Sequence, residues 1–384
     1  MTKWPATAVG EVLHRRSEPA RIDPDREYHE VTIKLWGRGV VSRGKVRGSE
    51  VVSVRNVVRA GQLILSKIDA RNGAIGLVPR ELDGAIVSND FPSFEVRDAS
   101  RCDIGFLGWL ARSAQFVELC KAASEGSTNR VRISEERFLG QEIPLPPLAE
   151  QQALVARLDA LATKTREVEE HLDAAERDAD HLLALRFRDL NADAPRRPMA
   201  EVAPTVRRPV EIDVSKRYRE VGARSFGKGL FVKPDFDGAE ATWQKPVWIR
   251  SGDLVLSNIK AWEGAIAVAD DAHDGCIASH RYITCIPDPS QVTAGFLAYY
   301  LLSEEGLEQV GLASPGTADR NRTLSLGNLG GIKVPVPVLA DQQTFGRLQT
   351  EVKALKTKHT AIREANAALL PATLERIFHA EATT

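Results

Sequence analysis

The 384-residue chain is written twice. Residues 144–152 read PLPPLAEQQ, and residues 335–343 read PVPVLADQQ, 191 positions later. The same offset carries Gly61, Leu63, Leu65, Ser66, Ile68, Ala70 and Gly73 onto Gly252, Leu254, Leu256, Ser257, Ile259, Ala261 and Gly264. Nearer the start the offset is 190, taking Tyr28, Glu30, Gly37 and Gly39 to Tyr218, Glu220, Gly227 and Gly229. Solenoid repeats run to about 20–50 residues, so a period this long means two copies of a whole domain.

Each copy divides into a globular part and a helical part. Short apolar runs between glycines and Asn or Asp turns (Gly61–Ser66, Ala74–Val78 and Ala85–Ser88) predict strands. Ile104–Ala122 and its counterpart Ala294–Val310 each predict a helix. After Pro144, Pro146 and Pro147, the residues Leu154, Leu158, Leu161, Thr165, Val168, Leu172, Ala175, Ala179 and Leu182 alternate by fours and threes, which is a heptad seam. A helix from about Leu148 to Leu190 would be about 60 Å long. The second copy repeats the seam with Phe345, Leu348, Val352, Leu355, His359, Ile362, Asn366 and Leu369. Pro371 is expected to end or kink that helix before Leu374 and Phe378, the counterparts of Leu183 and Phe187. One apolar stripe per helix must be covered. The expectation is therefore an α+β chain in which the two helices pair as an antiparallel coiled coil, each following a mixed α/β domain. The boundaries fall at 1–146, 147–190, 191–337 and 338–384.

A net charge of −1 names no partner, but the charge is unevenly spread. Between Val31 and Arg80 ten basic residues face two acidic ones, and between Val214 and Pro234 six face one. The helix after Leu148 is acidic instead, with Glu167, Glu169, Glu170 and Asp173 in a short stretch. Basic lobes of this kind suit a polyanion. Four cysteines without a CxxC fit a reducing interior. With no visible signal peptide and no apolar run of membrane-spanning length, the sequence reads as cytoplasmic, with no membrane partner. Gly39–Val46 nearly spells a P-loop but lacks the Ser or Thr after Lys45. His273, Cys276, His280 and Cys285 have spacings zinc accepts, yet their counterparts Leu82, Ala85, Asn89 and Phe94 bind no metal, so none is expected.

The chain resembles the specificity subunits of type I restriction-modification systems. The resemblance rests on the proline-rich segments running into LAEQQ and LADQQ, the long helices with LL…F endings, SKIDARNGAIG with DGAIVSND, and the opening KWPATAVGEVL. It spans Trp4 to Phe378, and the second copy departs slightly, with Val338 for the second proline and Asp341 for the glutamate. It implies two target-recognition domains, each reading one part of a split asymmetric site in double-stranded DNA, with the helices setting the unread spacer. It implies further that two methyltransferase subunits methylate adenine at N6 with S-adenosylmethionine. Restriction subunits, where present, would add ATP- and magnesium-dependent cleavage. This chain would be non-catalytic and carry no cofactor of its own. A coiled-coil adaptor without DNA specificity is the competing expectation.

Reading DNA takes cations for phosphates and planar donors for base edges. Ser66–Gly73, with Lys67, Arg71 and Asn72, matches Ser257–Gly264, with Asn258, Lys260 and Trp262. The framework is shared while the side chains differ, as two readers of different bases require. Arg71 suits guanine; Asn72 and Asn258 suit adenine. Arg130 and Arg132, matched by Arg320, Asn321 and Arg322, suit phosphates, as do Arg38, Arg43, Lys45, Arg47 and Lys228. His280 and Arg281 are further candidates. Leu154, Leu158, Leu161, Leu172, Leu348, Val352, Leu355 and Ile362 are the expected helix-pairing positions.

Overall fold

The computed structural model describes residues 4–126, 131–240, 245–316 and 322–379. The chain folds into two compact units: one holds the residues up to Leu172 and those from His359 onward, the other Asp173–Lys358.

In the first unit an antiparallel sheet orders Leu13–Arg16, Ser93–Val96, Leu63–Leu65 and Ile75–Leu77. A second sheet orders Val40–Arg47, Glu27–Ile33, Ile86–Val87 and Asn56–Val57, with Glu27–Ile33 parallel to Ile86–Val87. The near-P-loop segment lies largely in the strand Val40–Arg47, not in a phosphate loop. The second unit repeats the first sheet as Thr205–Val206, Tyr282–Cys285, Leu254–Ser257 and Ile266–Val268. Its other strands pair two by two.

The single helix expected over Ile104–Ala122 is two, Ile104–Leu110 and Ala114–Ala122. Ser113 breaks it by accepting the Phe116 N–H and donating to the Leu110 carbonyl. Ser303 does the same between Ala294–Leu302 and Glu304–Leu312. There Gly306 is required, since a Cβ would meet the Tyr300 carbonyl at 2.0 Å.

The long helices span Leu148–Asn191 and Leu339–His379. Pro371 does not end the second one. Its missing hydrogen bond is offset by the packing of Leu370 and Leu374 on the first unit's core. In the first unit Asn366 donates to the Thr165 carbonyl and to Glu169 (both 2.8 Å), and Arg363 pairs with Glu169 at 2.7 Å. In the second unit Lys356 pairs with Asp180 at 2.7 Å, and Phe345 lies 5.6 Å from Phe187. Rising numbers on one helix meet falling numbers on the other, so the helices run antiparallel within each unit.

The strict heptad misplaces four seam residues, of which Ala175 is exposed on the first helix. Leu182, Ile362 and Leu369 are 47%, 45% and 46% exposed, while the covered stripe runs through Leu183 and Phe187 on one helix and Arg363, Asn366, Leu370 and Leu374 on the other. A helix with 3.6 residues per turn drifts about 20° per heptad against a 3.5 repeat, and here the stripe follows the drift.

Each unit's core uses the end of the other copy's helix. Leu374 and Phe378 are buried among Val9, Phe106 and Phe116 in the first unit. Leu183 and Phe187 are buried among Val202, Phe296 and Phe345 in the second.

Candidate nucleic-acid interface

In the first unit the Ser66–Gly73 loop closes in a short 3-10 turn, Ala70–Asn72, capped by Gly73 at φ 76°. Left-handed backbone is what glycine tolerates there. Neighbouring segments are tied to this loop by main-chain bonds. The Trp36 and Gly37 N–H groups donate to the carbonyls of Asn72 and Gly73 (both 2.9 Å), and the Ile133 N–H donates to the Lys67 carbonyl (2.8 Å). The tip of the Glu27–Ile33/Val40–Arg47 hairpin, the loop and the Arg132–Ile133 strand therefore sit side by side, which brings the backbones of Arg38, Lys67, Arg71, Asn72 and Arg132 together.

Their side chains fall into two groups. Among the described residues no ion pair or side-chain hydrogen bond engages Arg38, Arg43 or Arg71; the first two are exposed and Arg71 is half-buried. Arg47 is exposed on the same strand as Lys45, which pairs with Glu27 at 3.5 Å. Other expected contact groups are occupied internally. Lys67 pairs with Glu135 at 2.7 Å, beside Arg15 at 2.9 Å. Burial pushes the Glu135 carboxyl up, but the Lys67 and Arg15 contacts outweigh it and hold the group below the usual carboxylate range. Arg132 pairs with Asp90 at 2.6 Å, and Asn72 leans on Asp69 at 3.4 Å. Arg130, Arg320 and Asn321 lie outside the described residues.

The second unit rebuilds the frame. The Phe226 and Gly227 N–H groups donate to the carbonyls of Glu263 (2.8 Å) and Gly264 (2.9 Å). Here three of the expected readers, Asn258, Lys260 and Arg322, have internal partners. Asn258 donates its side-chain amide to the Leu324 carbonyl (3.0 Å), joining the loop to the following segment. Arg322 donates to the Gly311 carbonyl (2.9 Å) and lies 4.7 Å from the Trp262 ring centroid. Lys260 lies 5.2 Å from the same ring and pairs with Glu263. Lys228, His280 and Arg281 are exposed. Cys276 and Cys285 sit in different apolar clusters, and among the described residues no group of three or more His, Cys, Asp or Glu side chains is placed to hold a metal. Sequence reading passed over two residues at the hairpin tips, Trp36 and Phe226. Their only signal was that each precedes a matching glycine in the repeat.

Residues 2–175 match the family described as the type I restriction modification DNA specificity domain. The chain's fold is similar to the crystal structure of the HsdS subunit from Thermoanaerobacter tengcongensis, with 22% identity, a TM-score of 0.64, and 99% of this chain and 98% of that one covered. It is also similar to a chain from a structure titled the structural basis underlying complex assembly and conformational transition of the type I R-M system. There the identity is 22% and the TM-score 0.63, with 99% and 97% covered. No curated protein matches the sequence. No helix among the described residues is long and apolar enough to cross a membrane.

Proposed function

We propose that the two units read the two parts of a split, asymmetric site in double-stranded DNA, and that the helices set the unread spacer. One observation carries this reading: a common loop frame holds Arg71-Asn72 in one unit and Trp262-Glu263 in the other. A shared frame with unlike side chains suits two readers of unlike bases. The chain contributes no catalysis or cofactor. Two methyltransferase subunits bring S-adenosylmethionine to adenine N6, and restriction subunits, where encoded, bring ATP and magnesium, all in the cytoplasm. Lys67, Asn258, Lys260 and Arg322 support the frame, while Arg38, Arg43, Arg47 and Lys228 meet phosphates.

Mapping methylated adenines in a host carrying this chain and its methyltransferase is expected to return one two-part motif. A single continuous motif, or none, would remove the bipartite reading. Within that motif Arg71→Ala is expected to cost about 1–3 kcal/mol on cognate DNA and to relax one base position. Equal losses on all sequences would make Arg71 a phosphate contact.

A further inference from the structure

The hairpin tips share a feature that base reading does not use. Trp36 and Phe226 occupy matching positions 190 residues apart. Both have left-handed backbone, φ 61° and 63°, and both rings are exposed, at 68% and 76%. A bulky side chain is strained in that region, and an exposed ring does little for folding. Lys245 is the only other non-glycine residue with positive φ among those described. The main-chain bonds to Asn72 and Gly73, and to Glu263 and Gly264, clamp each ring's backbone beside the loop whose side chains differ between units.

The surroundings favour an anionic partner. The first hairpin carries Lys34, Arg38, Arg43, Lys45 and Arg47 against Glu27 and Glu30. Phe226 is flanked by Arg224 and Lys228, the latter's Nζ 5.9 Å from the ring centroid. The groove beside Trp36 holds Arg112 and Lys121 with Glu118 and Glu375, and so has no preferred sign.

We propose that Trp36 and Phe226 are stacking wedges, each ring pressed against a base face or an opened base step of the duplex. This inference rests on the DNA reading proposed above. Every base has a π face, so stacking tolerates any sequence. Apolar wedges open base steps in the same indifferent way. An aromatic kept in kind where its neighbours change is the expected pattern for such a contact.

The test titrates the chain, assembled with its methyltransferase subunits, against a random-sequence duplex over a series of salt concentrations. Trp36→Gly and Phe226→Gly suit the left-handed backbone, so the melting temperature should be unchanged or raised. Each is expected to weaken binding roughly 5- to 150-fold at every salt concentration, with the salt slope unchanged. Trp36→Phe should retain most of the affinity. Arg38→Ala should instead reduce the slope by about one. A duplex carrying a fluorescent base analogue should brighten with the wild type and not with Trp36→Gly. Wild-type affinity and brightening in Trp36→Gly would overturn the proposal. So would a loss of affinity that tracks loss of methyltransferase subunits, since the ring would then be a protein contact. A wild type that binds the duplex without salt dependence would overturn the DNA reading itself, and the wedge with it.

Discussion

Phe378→Ala is expected to destabilise the first unit by about 3–5 kcal/mol, although the residue lies at the far end of the sequence from most of that unit. The ring is fully buried, 5.8 Å from Phe106 and 6.4 Å from Trp4 in edge-on contact, with Leu374 beside it. Removing it leaves a cavity lined by aromatic rings that cannot close inward. Urea unfolding followed by proteolysis of the first unit is the measurement. Ile362→Ala on the same helix is the control, expected within about 0.5 kcal/mol because that side chain faces water. If the two substitutions cost the same, the docked helix end does not complete the core. The same packing predicts the behaviour of a fragment ending at Asn191. It lacks Leu374 and Phe378 but retains their counterparts Leu183 and Phe187. Two copies can fill each other's cores, so the fragment is expected to be a dimer by light scattering.

Gln151→Leu is expected to cost about 3 kcal/mol or more, and Gln342→Leu a similar amount in the second unit. Both glutamines are fully buried. Gln151 donates to the carbonyls of Arg101 (2.9 Å) and Pro146 (2.8 Å) and accepts the Asp103 N–H (2.8 Å). Gln342 does the same with Gln291, Pro337 and Thr293, at 2.9, 2.8 and 2.9 Å. Leucine matches the volume but orphans three main-chain groups, one in a buried and two in part-buried hydrogen bonds. Gln151→Glu should be worse near neutral pH and recover partly in acid, because only the protonated acid can donate to a carbonyl. Thermal melts across pH check this. A leucine variant that melts with the wild type would show that the hub is dispensable.

These glutamines show how far the sequence could be read. PLPPLAEQQ and PVPVLADQQ marked the duplication and the start of each long helix, the first beginning directly after Pro147 and the second with one residue between it and Pro337. Nothing in the motif revealed that its glutamine reaches back to cap the chain before an earlier helix. The strands at Leu63–Leu65 and Ile75–Leu77 were legible because glycine turns bound apolar runs. The break at Ser113 was not, since a serine cap inside an apolar stretch looks like a helix interior. The candidate loops were found, but not which side chains in them are free. Lys67 and Arg71 look alike as cations in a row, and only the approach of Glu135 separates them.

The sequence by itself determined that there are two copies of one α+β domain, that each leads into a long helix with one apolar stripe, and that positive charge gathers on the globular parts. Those follow from period, alternation and composition, which are local properties. Tertiary structure alone decided that each unit is completed by the other copy's helix end and that the covered stripe drifts to Leu183 and Arg363. It also decided that Trp36 and Phe226 are held outward on strained backbone. The reason is physical: burial, pairing and strain depend on which distant groups meet, and residue order does not state that.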